Sequence, residues 1–198
     1  MARPREPWKR QRLLDVAMAE VSTKGVGAVT VTDVARAAGV SPGTVHYHFT
    51  DIDGVLLEVI ERAVELMYSQ RLAAISDVPG IPDKLLTLIE LGIPDVVSHE
   101  ITLLYEAVPR MRAHESFRPV LRSYVERQVS LYRSVIDAGI ATGDFVAAEK
   151  PDTIARNLLA LEDAYDLYLV LGLSDGASSR AAARSYVASA LGLHLTED

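Results

Sequence analysis

Residues 33–49, DVARAAGVSPGTVHYHF, leave few folds open to this chain. Val34, Ala35 and Ala38 fall on one face of a short helix, and Thr32 ahead of Asp33 reads as its hydroxyl cap, with an acid in the first turn. Gly39 marks the stop. Ser41 and Pro42 then open a second helix, a hydroxyl cap followed by proline at the position where its missing N–H costs nothing. The sequence therefore predicts helix, tight glycine turn, helix. Val45 and Phe49, four apart, share the face that seats the second helix on its neighbours. That leaves His46, Tyr47 and His48 as a surplus of polar rings on one short element.

A metal site, a solvated surface and a reading head are the candidate explanations. His46 and His48 are two residues apart and diverge by about 200° on a helix. Paired metal ligands on a helix need a spacing near four. His99, His114 and His194 are scattered, so no metal is expected. A reading head would bring the N-terminal end of the second helix to base edges in a DNA groove. Gly43 permits close backbone approach, Thr44 suits a phosphate or a thymine methyl, and Tyr47 and His48 suit phosphates. Together with Thr32, Arg36, Ser41 and His46 they form the candidate DNA-binding set.

Charge distribution supports an anionic partner for the head alone. The net charge is −7, yet residues 1–50 carry seven Lys/Arg against four Asp/Glu, a net of +3, and the remaining thirteen and twenty-three give −10. Arg3, Arg5, Lys9, Arg10 and Arg12 form a basic arm suited to phosphates or the minor groove. The absence of cysteine excludes disulfides, thiolate zinc sites and a cysteine nucleophile, and fits a cytoplasmic protein. MARPREPWKRQRLL holds no apolar core of signal-peptide length. The richest apolar stretch, LLALEDAYDLYLVLGL, is broken by Glu162, Asp163 and Asp166, so no membrane span is expected.

Helical periodicity runs through the whole chain, and the short AVTV is the only strand-like segment. Leu13, Leu14, Ala17 and Val21 line a first helix that Gly25 and Gly27 end. Further helices are predicted at about 53–76, up to Gly92, from Pro94 to Arg112, from Glu115 to Ala141, at 151–173 and at 177–193. The fold class is all-α with about nine helices, divided into a head at 1–52 and a helical body at 53–198.

The run RLLDVAMAEVSTKGVGAVTVTDVARAAGVSPGTVHYHFTDIDGVLLEVI resembles the TetR family of transcriptional regulators. The resemblance is specific over about residues 10–60: an Ala-rich helix, Gly, Thr before DVA, then AGVS, GT, an aromatic pair and HF. It implies a homodimeric regulator, a repressor of a palindromic double-stranded operator released by a small-molecule effector in the body. Two departures stand out. Ile52 replaces the lysine that usually opens the fourth helix and meets a phosphate, with Asp51 and Asp53 beside it, and His46 stands where tyrosine is commoner.

Two recognition helices need a spacing of about one DNA turn, hence a dimer. Leu158, Leu161, Tyr165 and Leu169, followed by Tyr186, Val187, Ala190 and Leu191, supply candidate faces, and the resemblance implies a four-helix seam. Polar groups amid apolar helical faces, Tyr105, Glu106, Tyr124, Gln128, Tyr132, Asn157 and Glu162, are the candidate effector contacts. With no nucleophile–base pair, phosphate loop or metal spacing, neither an enzyme nor a cofactor is expected. The competing reading is a helical dimeric interaction protein that has lost DNA binding, for which Ile52 between two acids is the support.

Overall fold

A computed structural model of the chain describes residues 7–193, with Pro7 placed by its helix alone. The basic-arm residues Arg3 and Arg5, and His194, lie outside the described residues. Nine α-helices are found among those described: α1 (Pro7–Lys24), α2 (Val31–Ala38), α3 (Pro42–His48), α4 (Ile52–Ser76), α5 (Ile81–Gly92), α6 (His99–Ala113), α7 (Arg118–Thr142), α8 (Pro151–Val170) and α9 (Gly176–Leu191). A single 3-10 turn, Glu115–Phe117, precedes α7, so Pro119 falls in the first helical turn where its ring is harmless.

The chain forms two compact units. One comprises residues up to Glu65 together with His99–Val120. Its core joins Leu13, Leu14, Ala17 and Val21 of α1 to Val34, Ala35 and Ala38 of α2, Val45 and Phe49 at α3, and Val55, Leu56, Val59 and Ile60 of α4. The other comprises Leu66–Ser98 and the chain from Leu121 onward. There Leu85, Leu88 and Ile89 of α5 pack with Tyr132 and Ile136 of α7, Ile154 and Leu158 of α8, and Val187 and Leu191 of α9.

Three local predictions need correction. The cap of α2 is Thr30, not Thr32. A capping box needs its acid at the third helical position, and only Thr30 stands that far from Asp33. The Thr30 hydroxyl accepts the Asp33 N–H at 3.2 Å, while Asp33 Oδ2 accepts the Thr30 N–H at 3.1 Å. That same geometry explains why AVTV is no strand: its last two residues are the cap and the first turn. Finally, α6 begins at His99 rather than Pro94. Arg180 of α9 holds the intervening segment in a loop, donating to the Ile93 carbonyl at 2.9 Å and pairing with Asp95 at 2.7 Å.

Candidate functional site

The turn between α2 and α3 is set by Gly39, whose φ of 68° lies in the left-handed region that favours glycine. Its N–H closes α2 on the carbonyls of Ala35 and Arg36. Ser41 then caps α3, accepting the Thr44 N–H at 3.2 Å, and its hydroxyl lies 3.0 Å from that of Thr44. Val45 is fully buried and Phe49 nearly so, which fixes the roll of α3 and decides which residues face outward. Ser41, Gly43, His46 and Tyr47 are exposed, and Thr44 and His48 half-buried. Thr32 and Arg36 on α2 are exposed as well. The eight sequence-predicted head residues therefore all lie on α2 or α3 or at the cap between them.

Two of the rings are tied down. Tyr47 and His48 meet edge to face with centroids 5.1 Å apart. His46 Nδ1 lies 3.1 Å from the Thr50 carbonyl, closing the C-terminal end of α3. The basic residues of α1 divide by role. Arg10 is drawn into the head itself, pairing with Glu58 of α4 and lying 5.0 Å over the Phe49 ring. Lys9 and Arg12, with Trp8, Val40 and Thr44, line a groove of about 200 Å³ beside α3. Sequence reasoning missed Trp8, although an exposed tryptophan next to basic residues is itself a signal.

Both acids beside Ile52 have structural partners. Asp51 Oδ1 accepts the Gly54 N–H at 2.8 Å and so caps α4. Asp53 pairs with Arg110 and lies 3.5 Å from His114 Nε2.

In the second unit, Gln128, Tyr132 and Glu162 converge on a residue that sequence reasoning missed, Arg71 of α4. Its guanidinium donates to both Glu162 oxygens at 2.9 and 3.1 Å, to Gln128 Oε1 at 2.8 Å, to the Tyr132 hydroxyl at 2.8 Å and to the Leu88 carbonyl at 3.0 Å. The Tyr132 hydroxyl in turn donates to Glu162. All four side chains are buried. Burial by itself would strip the guanidinium of its proton, but Glu162 more than offsets it and Arg71 keeps its charge. Burial raises the Glu162 carboxyl above its ordinary range despite Arg71. Gly92 makes room for this carboxylate, since a Cβ there would stand 1.7 Å from Glu162 Oε1.

Asp163 and Asp166 extend the cluster along α8. Burial, then the charge of Glu162, pushes Asp163 up to about 6, against a hydrogen bond from Tyr124. Burial, then Glu162 and Asp163, pushes Asp166 up to about 8. The Tyr124 hydroxyl is itself raised, by burial and then by Asp163. Because the folded chain holds Asp166 protonated where the unfolded chain does not, its contribution to stability is lost as pH rises from about 4 to about 8. Asp166→Asn is expected to raise the melting temperature at pH 8 and to flatten that decline, which calorimetry at several pH values checks.

The other candidate effector contacts separate. Asn157 is exposed and donates to the Tyr186 hydroxyl at 2.9 Å. Tyr105 and Glu106 belong to the first unit, where Glu106 accepts the Val26 N–H at 3.0 Å and lines a cleft of about 180 Å³. Among the candidate seam residues, Leu158, Val187, Ala190 and Leu191 are buried within the chain's own core, whereas Leu161, Tyr165, Leu169 and Tyr186 keep partial exposure.

Comparisons with known proteins agree with the head's geometry. Residues 13–59 match the family of bacterial regulatory proteins, tetR family. The HTH-type transcriptional regulator BetI of Rhizobium meliloti is 26% identical over 80% of this chain and 76% of its own length. The HTH-type transcriptional repressor KstR2 of Rhodococcus jostii is 27% identical over 69% of this chain and 68% of its own length. A transcriptional regulator of Saccharomonospora viridis, solved in complex with choline, has the same fold, with a TM-score of 0.82 at 22% identity over 94% of this chain and 98% of that one. The protein is thus a helix-turn-helix transcriptional regulator, not an enzyme. It belongs to the TetR family.

Proposed function

We propose that the protein is a cytoplasmic, homodimeric repressor that binds a palindromic double-stranded operator and is released by a small-molecule effector. The functional division runs at residue 52, with a DNA-binding head at 1–52 and an effector-binding and dimerising body at 53–198. The observation that carries this reading is the seating of α3: Val45 and Phe49 are buried, while Ser41, Gly43, His46 and Tyr47 are exposed along one short, capped helix. Thr44 and His48 at its edges, and Thr32 and Arg36 on α2, complete the DNA-facing set.

In this proposal the dimer seam uses Leu161, Tyr165, Leu169 and Tyr186, joined by the exposed Tyr168, with Leu158, Val187, Ala190 and Leu191 as the internal packing behind it. The effector enters beside Gln128, Tyr132, Glu162 and Tyr124; Asn157, Tyr105 and Glu106 serve the packing around it. The Saccharomonospora viridis regulator holds choline, which supports a small organic molecule as the effector of this body too. Release requires the effector to prefer the head spacing that does not fit DNA, since equal affinity for both states shifts nothing.

Fluorescence anisotropy on a duplex taken from the DNA flanking its own gene tests the reading. Lys9, Arg12 and Arg36 give three phosphate-directed cations per protomer, six in the dimer, so the logarithm of affinity should fall against that of salt with a slope of about −5. Tight binding with a flat salt response would sink the electrostatic account. No binding at low salt by a folded dimer would favour a helical interaction protein that has lost DNA binding. The partners of Asp51 and Asp53 weigh against that second reading, because the acids beside Ile52 are committed to the fold.

A further inference from the structure

The buried cluster of the second unit leaves a specific set of polar atoms unpaired. Among the described residues, Asp166 Oδ1, Gln128 Nε2 and Arg71 Nε are buried without a hydrogen-bond partner. Buried polar atoms are ordinarily satisfied, so three in one network require an account. The charges are also unbalanced. Arg71 answers Glu162 through two hydrogen bonds, and Tyr124 answers Asp163. Asp166, only 6% exposed, has neither.

The orphans are of two kinds. Two are donors, on residues joined directly by the Arg71–Gln128 hydrogen bond, and they call for an acceptor oxygen. The third is a carboxylate oxygen and calls for a cation or a proton. Glu162 and Asp166 share one face of α8, a single turn apart, with Cβ atoms about 5–6 Å from each other. One small molecule can therefore span from the Arg71–Glu162 pair to Asp166. An anion is disfavoured, because three carboxylates face one guanidinium there.

We propose that this cluster binds a small organic cation carrying a hydrogen-bond-accepting oxygen, an amino alcohol or its quaternary ammonium analogue, with Asp166 as counter-ion. Gln128 Nε2 and Arg71 Nε hold the oxygen. The inference rests on the body being the effector site.

Calorimetric titration of the full chain tests it with four probes. Choline chloride and ethanolamine hydrochloride carry both features, tetramethylammonium only the cation, and dimethylbutanol is the uncharged carbon analogue of choline. Choline or ethanolamine is expected to bind saturably, tetramethylammonium at least tenfold more weakly, and dimethylbutanol not at all. Below about pH 8 the cation must displace a proton from Asp166, so affinity should tighten by up to tenfold per pH unit between 6 and 7 and level off above 8. The groups facing Asp166 are Glu162 and Asp163 on its own helix, Arg71 on α4 and Tyr124 on α7; protonation of Asp163 below about 6 adds to the loss at low pH.

Asp166→Asn should melt no lower than the parent and lose choline binding. Gln128→Leu should weaken choline more than tetramethylammonium, separating the oxygen contact from the charge contact. Equal binding of choline and dimethylbutanol, undiminished choline affinity in Asp166→Asn, or no heat from either oxygen-bearing cation at millimolar concentration overturns the proposal. Occupation of the cluster by the uncharged alcohol would leave the effector reading standing and remove only the cation. Loss of operator binding with choline binding intact would instead fail the regulatory reading alone.

Discussion

Arg71→Met is expected to destabilise the folded chain by about 3–5 kcal/mol, the usual consequence of leaving one member of a buried ion pair uncompensated. For a domain of this size that corresponds to a fall in melting temperature of roughly 10 °C. The loss is large because one guanidinium serves four acceptor residues at once: Glu162, Gln128, Tyr132 and the Leu88 carbonyl. The variant should also show a new pH dependence. Burial already raises the Glu162 carboxyl, and Arg71 is the main group holding it down. Without Arg71 the folded chain takes up a proton at Glu162, so the deficit should deepen as pH rises above the ordinary carboxylate range. Arg71→Met with Glu162→Met should recover part of the loss and remove that pH dependence. Recovery is incomplete because Gln128 Oε1, the Leu88 carbonyl and the Tyr132 hydroxyl still lose their donor. Equal melting of Arg71→Met and the parent at every pH would mean that the pair holds nothing together.

Much of this cluster was legible in the sequence and its centre was not. Tyr124, Gln128 and Tyr132 repeat every four residues along a stripe shared with Leu121 and Val135, so their common face could be read directly. Arg71 carried the same kind of signal. Ala63, Met67, Arg71 and Ile75 also repeat every four residues, which places an arginine on the buried stripe of α4. An arginine reads by default as a solvated residue, and the default hides it. Glu162 and Asp166 likewise continue the stripe of Leu158.

The head was legible for a different reason: its elements are short and punctuated by caps and a glycine, whose stereochemistry is local. Ser41, Pro42 and Gly39 act where the sequence placed them. Thr30 and Thr32 both precede Asp33, and only the three-residue reach of the capping box separates them. Long-range pairings carried no such signature. Arg10 looks like part of a basic arm until Glu58 and Phe49 are brought beside it, and Asp53 looks like repulsion until Arg110 is.

That last pairing bears on Ile52. If the start of α4 approaches the DNA backbone, Ile52→Lys should strengthen duplex binding by about tenfold at low salt, one added charge-assisted contact per protomer. The salt dependence should steepen by about 0.9 for each phosphate newly met. The substitution is structurally affordable. Ile52 is half-buried at the first position of α4, and a cation at a helix N-terminus costs about 0.3–1 kcal/mol. Asp51 and Asp53 do not capture the new lysine cheaply, since the first would have to abandon the Gly54 N–H and the second its pairing with Arg110. Ile52→Glu should act in the opposite sense, weakening binding and leaving the melting temperature near that of the parent. If neither substitution moves affinity or slope, the start of α4 does not meet phosphate. The head would then hold DNA through α2, α3 and the Lys9–Arg12 groove alone.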